Sequence, residues 1–228
     1  YKIEQLPNPI TVKGRFDISC EVSISPQSLS AIEEGKLKIA IIQHGGKPTI
    51  LNFSLSIGSI SGNVIVHVGN DNATIVLGES SRGHYDFRLW RNSKISIGEK
   101  TTSNGIRIVC DNSEFVCGED CMFSDSILIQ TADQHGIVDI KNGVIANNNF
   151  KTVILGDHVW LGRQSILTAN ASIGSGSVIG TASTVTKKIP EKVIAVGVPA
   201  KVIKENYTWC RSPISLDSFS KKYIDEDC

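Results

Sequence analysis

Five histidines, His44, His67, His84, His135 and His158, are the side chains of this 228-residue chain best suited to moving a proton near neutral pH. An unperturbed imidazole, with a pKa of about 6.5, is largely neutral there and can accept one. His135 stands apart because TADQHGI, in which it follows Asp133 by two residues, lies where a regular repeat is interrupted. A loop rooted on a rigid scaffold is where functional side chains concentrate. Asp133 could orient the imidazole or bind substrate, and nearby backbone carbonyls could orient the ring equally well. Taken alone, a loop histidine is more often a polar surface residue with no task. A second chemistry is anion binding by Lys187, Lys188, Lys192, Lys201 and Lys204, although such a cluster is ordinarily a solvated end. The six cysteines, Cys20, Cys110, Cys117, Cys121, Cys210 and Cys228, contain no C-x-x-C pair, and no His-x4-His pair exists. No metal site is expected.

The elements that must position these groups are set by a step of six. Leu155, Leu161, Leu167, Ile173, Ile179 and Val185 recur at that interval, and four residues after each come Val159, Ser165, Ala171, Ser177, Ser183 and Ile189. A period of six fits neither one helix nor one long strand. It fits short extended segments separated by corners, the signature of a parallel β-helix whose coils bury a core only by stacking. A coarser repeat precedes it: Ile57-Gly58, Leu77-Gly78, Ile97-Gly98 and Cys117-Gly118 lie twenty apart. Each early coil therefore carries about two residues more than three hexapeptides, as a bulge or a lengthened corner. From Cys117 to Leu155 is thirty-eight residues, and ADQHG and KNGVIANNNF within it are turn-rich. An extruded loop over about 130–150 is expected there.

The stretch LGDHVWLGRQSILTANASIGSGSVIGTASTVTKKIPEKVIAVGVPAKVIKEN resembles the carboxy-terminal half of the hexapeptide-repeat acyltransferases. The resemblance covers about residues 55 to 209. With the D-x-H loop, GDHVWLG and KENYTWCR, it is nearest to the capsular polysaccharide and polysialic acid O-acetyltransferases. It implies a left-handed helix, whereas ordinary parallel crossovers are right-handed. It implies transfer of an acetyl group from acetyl-CoA to a saccharide hydroxyl in a ternary complex, with His135 as general base. Catalytic roles are expected for His135, Trp160 and Asp133. Trp160 precedes a repeat aliphatic, so alternation directs it outward, where a ligand or neighbouring subunit would cover it; His158 is expected outward too. The resemblance places the coenzyme along Arg163, Gly180, Thr181, Thr186 and Lys187, with Lys201 and Lys204 near its phosphates. It implies a homotrimer with sites between subunits. Alternatives are N-acetylation of an amino sugar on a nucleotide carrier, a zinc hydratase resembling the gamma carbonic anhydrases, and a non-catalytic solenoid.

Composition sets the remaining bounds. Lys plus Arg equals Asp plus Glu at 23 each, so no global basic field recommends nucleic acid. Aromatics at 6% are sparse, as expected of a narrow prism interior that takes aliphatics better than rings. No apolar run is long enough to suggest a membrane span, and the cysteine usage suggests a reducing cytosolic compartment. The chain begins at Tyr1, not at a methionine, which is compatible with a removed leader. Residues 1–50, with ITVKGRFDISCEVSIS and KLKIAIIQHGG as strands, read as a β-rich cap; 51–204 as the β-helix; 205–228 as an irregular tail with a short helix near Asp217 to Ile224. Within the helix, SRGHYDFRLWRN could line an acceptor groove, with rings on sugars and Arg82, Arg88 or Arg91 on carboxylates. Its plainer reading is a solvated face with a few packed rings.

Overall fold

The computed structural model describes residues 1–224; Cys228 lies outside them. Two parallel sheets carry the fold. One has eight strands, stacked in the order Glu21–Ile24, Phe53–Ile57, Ala73–Leu77, Ser93–Ile97, Ser113–Cys117, Lys151–Leu155, Ser172–Ile173 and Lys188–Ile189. Its inward column runs Ile57, Leu77, Ile97, Cys117, Leu155, Ile173 and Ile189, partner to partner. The thiol of Cys117 is a rung like its neighbours, and burial pushes its pKa up. All twelve repeat positions between Leu155 and Ile189 are buried, serines included. The step of six is therefore the pitch from one corner to the next.

The second sheet changes character along the axis. In the early coils it is built of nine-residue strands, Ile60–Val68, Ser81–Leu89 and Thr102–Cys110. In the later coils each splits into two faces, such as Met122–Phe123 with Ile127–Gln130, and Trp160–Leu161 with Ile166–Leu167. The long strands bend at Gly83 (φ +136°), where an added Cβ would stand 1.9 Å from the Ser103 carbonyl oxygen. Against a later coil, an early one is shorter by one or two residues across this bend and longer from the end of the long strand through the corner that follows, which leaves it two residues longer in all. Four corner asparagines, Asn52, Asn72, Asn92 and Asn112, hold left-handed backbone there. The side chains of the first three form a ladder, Asn52 donating to Asn72 at 2.9 Å and Asn72 to Asn92 at 3.3 Å. Asparagine tolerates that conformation better than most residues.

The early interior is wide enough for rings. Phe53, Tyr85, Phe87, Phe115 and Phe123 are fully buried, so the sparse aromatics are concentrated inside rather than excluded. Tyr85 and Phe87 of SRGHYDFRLWRN point inward, and the Tyr85 hydroxyl donates to the Thr101 carbonyl at 3.2 Å.

Residues before 51 extend the two sheets: Thr11–Lys13 pairs with Leu37–Gln43, which pairs with Ile60–Val68, all parallel. The helix Pro26–Glu33 joins them; Ser25 caps it by accepting from the Ser28 amide, proline occupies its first turn, and Ile32 is buried. At the other end Val193–Val196 completes the last rung, and Lys201–Glu205 folds back antiparallel against it.

The tail then returns over the coil corners as a strap. Trp209 is buried, its indole donating to the His158 carbonyl at 2.7 Å. His158 is 1% exposed, which overturns the outward placement that strand alternation predicts. The residue lies on a corner, in left-handed backbone (φ 54°), beneath Asp120 of the coil before it. Its Nδ1 is 2.7 Å from the Asp120 carboxylate and its Nε2 2.9 Å from the Trp209 carbonyl. The ring stacks between Trp209 (4.2 Å) and Tyr223 (4.9 Å). Arg211 grips the other Asp120 oxygen with Nε and Nη2 at 3.0 and 2.7 Å. A short helix, Ser218–Lys221, follows with Asp217 as its N-cap.

Two measurements check this account. Leu161→Ala should lower unfolding free energy by about 2–5 kcal/mol, while Ile154→Ala, at a site 45% exposed, should stay within about 0.5 kcal/mol; denaturant titration reads both. Burial would raise the Asp217 pKa, but hydrogen bonds from the Ser220 and Arg211 amides and the Cys210 thiol hold it well below its ordinary 3.8. Its contribution is thus complete above that ordinary value and is lost as pH falls below it. Protease cleavage of the strap should rise in acid before the coils unfold, and Asp217→Asn should abolish that dependence.

Candidate active site

The coil that begins at Cys117 follows the stack as far as Gln130. Thr131 then anchors the departure point, its hydroxyl on the Val109 carbonyl at 3.0 Å. The chain leaves the stack after the buried Ala132 and re-enters at Lys151, which pairs with Ser113. Between these points lies the expected excursion, with a small antiparallel hairpin, Val138–Asp139 against Val144–Ile145, at its tip. Asp139 organises the turn by accepting from the amides of Lys141 and Asn142.

His135 sits on this excursion, exposed. One residue that the sequence reading did not single out fixes its backbone. Asn147 donates from Nδ2 to the His135 carbonyl at 2.9 Å and to the Asp133 carboxylate at 3.1 Å, and accepts from the Ile137 amide at 2.8 Å. Asp133 is therefore held by Asn147 and not by the imidazole. Asn112, the fourth corner asparagine, anchors the same segment by donating to the Asn148 carbonyl at 3.1 Å. A twenty-residue step in asparagines, parallel to that in glycines, is the sequence signal for Asn112 but not for Asn147.

His135 opens on a cavity of about 640 Å³. Its other walls include Trp90, Arg91, Asp111, Asn147 and Asn148. Arg91 makes a two-point ion pair with Asp111, at 2.9 and 3.1 Å, which raises the guanidinium pKa. The cavity sets a polar rim and one indole wall beside an exposed histidine. That combination suits a polyhydroxylated ligand and proton transfer.

Trp160 does not line this cavity. It is half-buried on the face formed by Met122, Trp160 and Val178, its indole 3.3 Å from the Ser124 hydroxyl and 6.2 Å from the Trp209 ring. Arg163 is exposed and paired at 2.7 Å with Asp125 of the coil before. Gly180 and Thr181 occupy the corner beneath Arg163, whose carbonyl receives the Ala182 amide at 2.8 Å. Thr186 and Lys187 are exposed at the corner that follows Thr184–Val185. That strand stacks under Ile166–Leu167 and so under Ile127–Gln130, the root of the excursion. Two strand spacings, about 10 Å, separate the root from Thr186. Lys201 and Lys204 are exposed on the terminal hairpin, Lys204 over the Tyr207 ring at 4.8 Å. The hairpin turn meets the same corner, the Ala200 amide donating to the Thr184 carbonyl at 2.8 Å. Thus Thr186, Lys187 and the hairpin are neighbours, whereas Trp160 and Arg163 face elsewhere on the single chain. Among the described residues no three His, Cys, Asp or Glu side chains are grouped to hold a metal ion, and no helix is long and apolar enough to cross a membrane.

No family model matches the chain. Individual proteins do. It is 36% identical over 128 residues to the polysialic acid O-acetyltransferase of Escherichia coli O1:K1 / APEC, covering 56% of this chain and 41% of that protein. It is 30% identical over 114 residues to the galactoside O-acetyltransferase of Escherichia coli strain K12, covering 50% of this chain and 55% of that one. The chain thus spans about half the length of the curated relatives it matches. The solved structure of the polySia specific acetyltransferase NeuO superposes with a TM-score of 0.75 at 27% identity, over 93% of this chain and 94% of that one. By its repeat, its coil geometry and these likenesses, the chain is similar to the hexapeptide-repeat acetyltransferases, and its stacked coils match their left-handed parallel β-helix.

Proposed function

We propose that this protein transfers the acetyl group of acetyl-CoA to a hydroxyl of a bacterial surface saccharide, of the capsular or O-antigen type, with His135 as general base. The observation that carries the proposal is His135 itself, held by Asn147 on an excursion from a rigid stack and facing a saccharide-sized cavity. The likeness to polysialic acid and galactoside O-acetyltransferases supports the donor and the acceptor class.

In the reaction the His135 imidazole takes the proton of the acceptor hydroxyl as its oxygen attacks the thioester carbonyl. A backbone N–H near the excursion or Trp160 receives the oxyanion that forms. Collapse of the tetrahedral intermediate breaks the C–S bond, and the departing thiolate takes the proton back from the imidazolium. The saccharide ester and free coenzyme leave, and the histidine is neutral again. Asn147 acts through the backbone as a positioning residue, and Asp133 orients acceptor or excursion.

Coenzyme binding is assigned to the strand Thr184–Val185 and the two corners that flank it, Gly180 and Thr181 before it and Thr186 and Lys187 after it, with Lys201 and Lys204 on the hairpin as cations for its phosphates and Arg163 at the rim. Small residues keep this column of coils low, and the exposed lysines supply charge beside it. Lysine makes a point contact with phosphate where arginine would make two. Because Trp160 does not line the His135 cavity, the working site is proposed to form between neighbouring copies in a homotrimer. Ile137, Val138, Ile140 and Ile145 stand exposed on the excursion, available for such a contact. With acetyl-CoA as donor, the reaction is proposed to run in the cytoplasm.

His135→Ala should reduce turnover by about 10²–10⁴-fold while the dissociation constant for CoA stays within about 2-fold, because the base contributes little to ground-state binding. Undiminished turnover would remove the assignment. Asn147→Ala should lower kcat by about 10-fold through misplacement of the base, again with CoA affinity retained. Loss of CoA affinity instead would show that Asn147 serves the coenzyme. A large excess of CoA should also raise the melting temperature, and no rise would favour a non-catalytic solenoid.

A further inference from the structure

SRGHYDFRLWRN contributes more than the Trp90 wall of the His135 cavity. A second, smaller cavity of about 210 Å³ continues from the first across Trp90 and Gln134, which line both. Its other walls are His44, His67, Arg88, Leu89 and Val109. His67 and Arg88 are direct partners on adjacent strands, so both side chains leave the same face. His44 meets the Trp90 ring edge-on at 5.4 Å and lies 6.1 Å from His67. The result is an aromatic shelf with a cation at its edge.

The shelf is built into the backbone. A Cβ on Gly69 would come within 2.6 Å of the Trp90 ring, so glycine there is what lets the indole lie down on the preceding coil and reach His44. Trp90 thereby stands between the two cavities and lines both.

Charge on this face is unbalanced. Asp86, the carboxylate nearest Arg88, is held by Arg107 at 2.7 Å. Arg88 meets it at two longer contacts, Nη2 donating to Oδ2 at 3.4 Å and Nε lying 3.4 Å from Oδ1, and the buried Nε has no hydrogen-bond partner. Two guanidinium groups thus share one carboxylate. Arg82 is exposed at the far end of the same strand, and Arg91 is committed to Asp111. Of the three arginines in the segment, Arg88 is the one that lines this cavity, and it shares its carboxylate with Arg107. Burial, with help from Arg88, holds the His67 imidazole below its ordinary pKa, so at neutral pH it adds N–H donation without a second like charge.

We propose that Arg88, His67 and the Trp90 shelf form an acceptor subsite for an acidic saccharide: a sugar carboxylate on Arg88 and His67, its ring on the indole, and the next residue of the chain beside His135. This rests on reading His135 as the acetyl-transfer base. It adds that the acceptor is anionic and runs along the early coils, away from the coenzyme column. A sugar face on an indole and a carboxylate on a guanidinium are the pairings these side chains favour.

The test reads binding apart from turnover. Intact protein without coenzyme is titrated with a sialic acid oligomer and with its carboxyl-reduced counterpart. The acidic oligomer should bind more tightly. Arg88→Gln should weaken it by about 10-fold and move the reduced oligomer by less than about 2-fold, and Arg88→Lys should restore part of the loss. Gly69→Ala, which displaces the indole, should weaken both oligomers. Equal binding of the two oligomers by the wild-type protein, binding of neither, or an Arg88→Gln effect that does not discriminate between them, overturns the subsite. The outcomes for the two proposals separate. If acidic binding depends on Arg88 but no saccharide is acetylated, the subsite stands and the acetyl-transfer reading fails. If acetylation of the acidic oligomer proceeds with unchanged KM in Arg88→Gln, transfer stands and the subsite fails.

Discussion

A coil of this protein has no core of its own. Its inward aliphatics are covered only by the coils above and below, and its backbone polar groups are satisfied only by the same neighbours. The column from Ile57 to Ile189 is the visible form of that constraint. Nothing in the chain can move along the axis without breaking both the ladder and the packing. That rigidity makes an eighteen-residue departure between Ala132 and Lys151 tolerable. The stack resumes in register, Ser113 opposite Lys151 and Cys117 opposite Leu155, as though the excursion were absent. Closing a loop of that length costs little more entropy than closing a short one, while both its roots are fixed by the ladder.

The same constraint leaves two ends that must be covered. At the first, the helix Pro26–Glu33 sets Ile32 into the core while the Ser28 hydroxyl accepts from the Ile60 amide. At the second, the hairpin Lys201–Glu205 closes the sheet. The strap beyond it solves a different problem. Asp120 is 1% exposed, and an unpaired carboxylate so placed would be costly. Arg211 and His158 take one carboxylate oxygen each, and the stacked rings of Trp209 and Tyr223 exclude water from the pair. The strap is held by what it shields.

How much of this the sequence discloses follows from the range of the interactions. Rungs repeat locally, so the step of six exposes Leu155 through Val185 and even the serines that share their interior. The interruption is legible for the same reason, and with it the position of His135. Alternation fails for His158 because the rule describes strands, and a corner residue with positive φ turns its side chain under the coil. The strap leaves no periodic trace: Trp209 meets His158 across 51 positions and Arg211 meets Asp120 across 91. Residues 1–50 conceal their membership of the sheets because a helix replaces part of a coil, and pairing survives where spacing does not. Asn147 acts through a backbone carbonyl twelve positions away, which no residue type announces.

A change of cross-section along the axis ties these observations to function. The nine-residue strands up to Cys110 give the early coils a broad face on which side chains such as His67 and Arg88 lie in register. From Met122 onward the strands split, and the corners, populated by glycine, alanine, serine and threonine, come close to the surface. The excursion bearing His135 leaves at the first split coil, where the broad face ends and the narrow columns begin. A base placed at that seam can serve a wide, ring-lined acceptor surface on one side and a slender thioester arm on the other. On the proposed reading, the step from twenty to eighteen residues per coil is what gives two unlike substrates adjoining surfaces on one continuous stack.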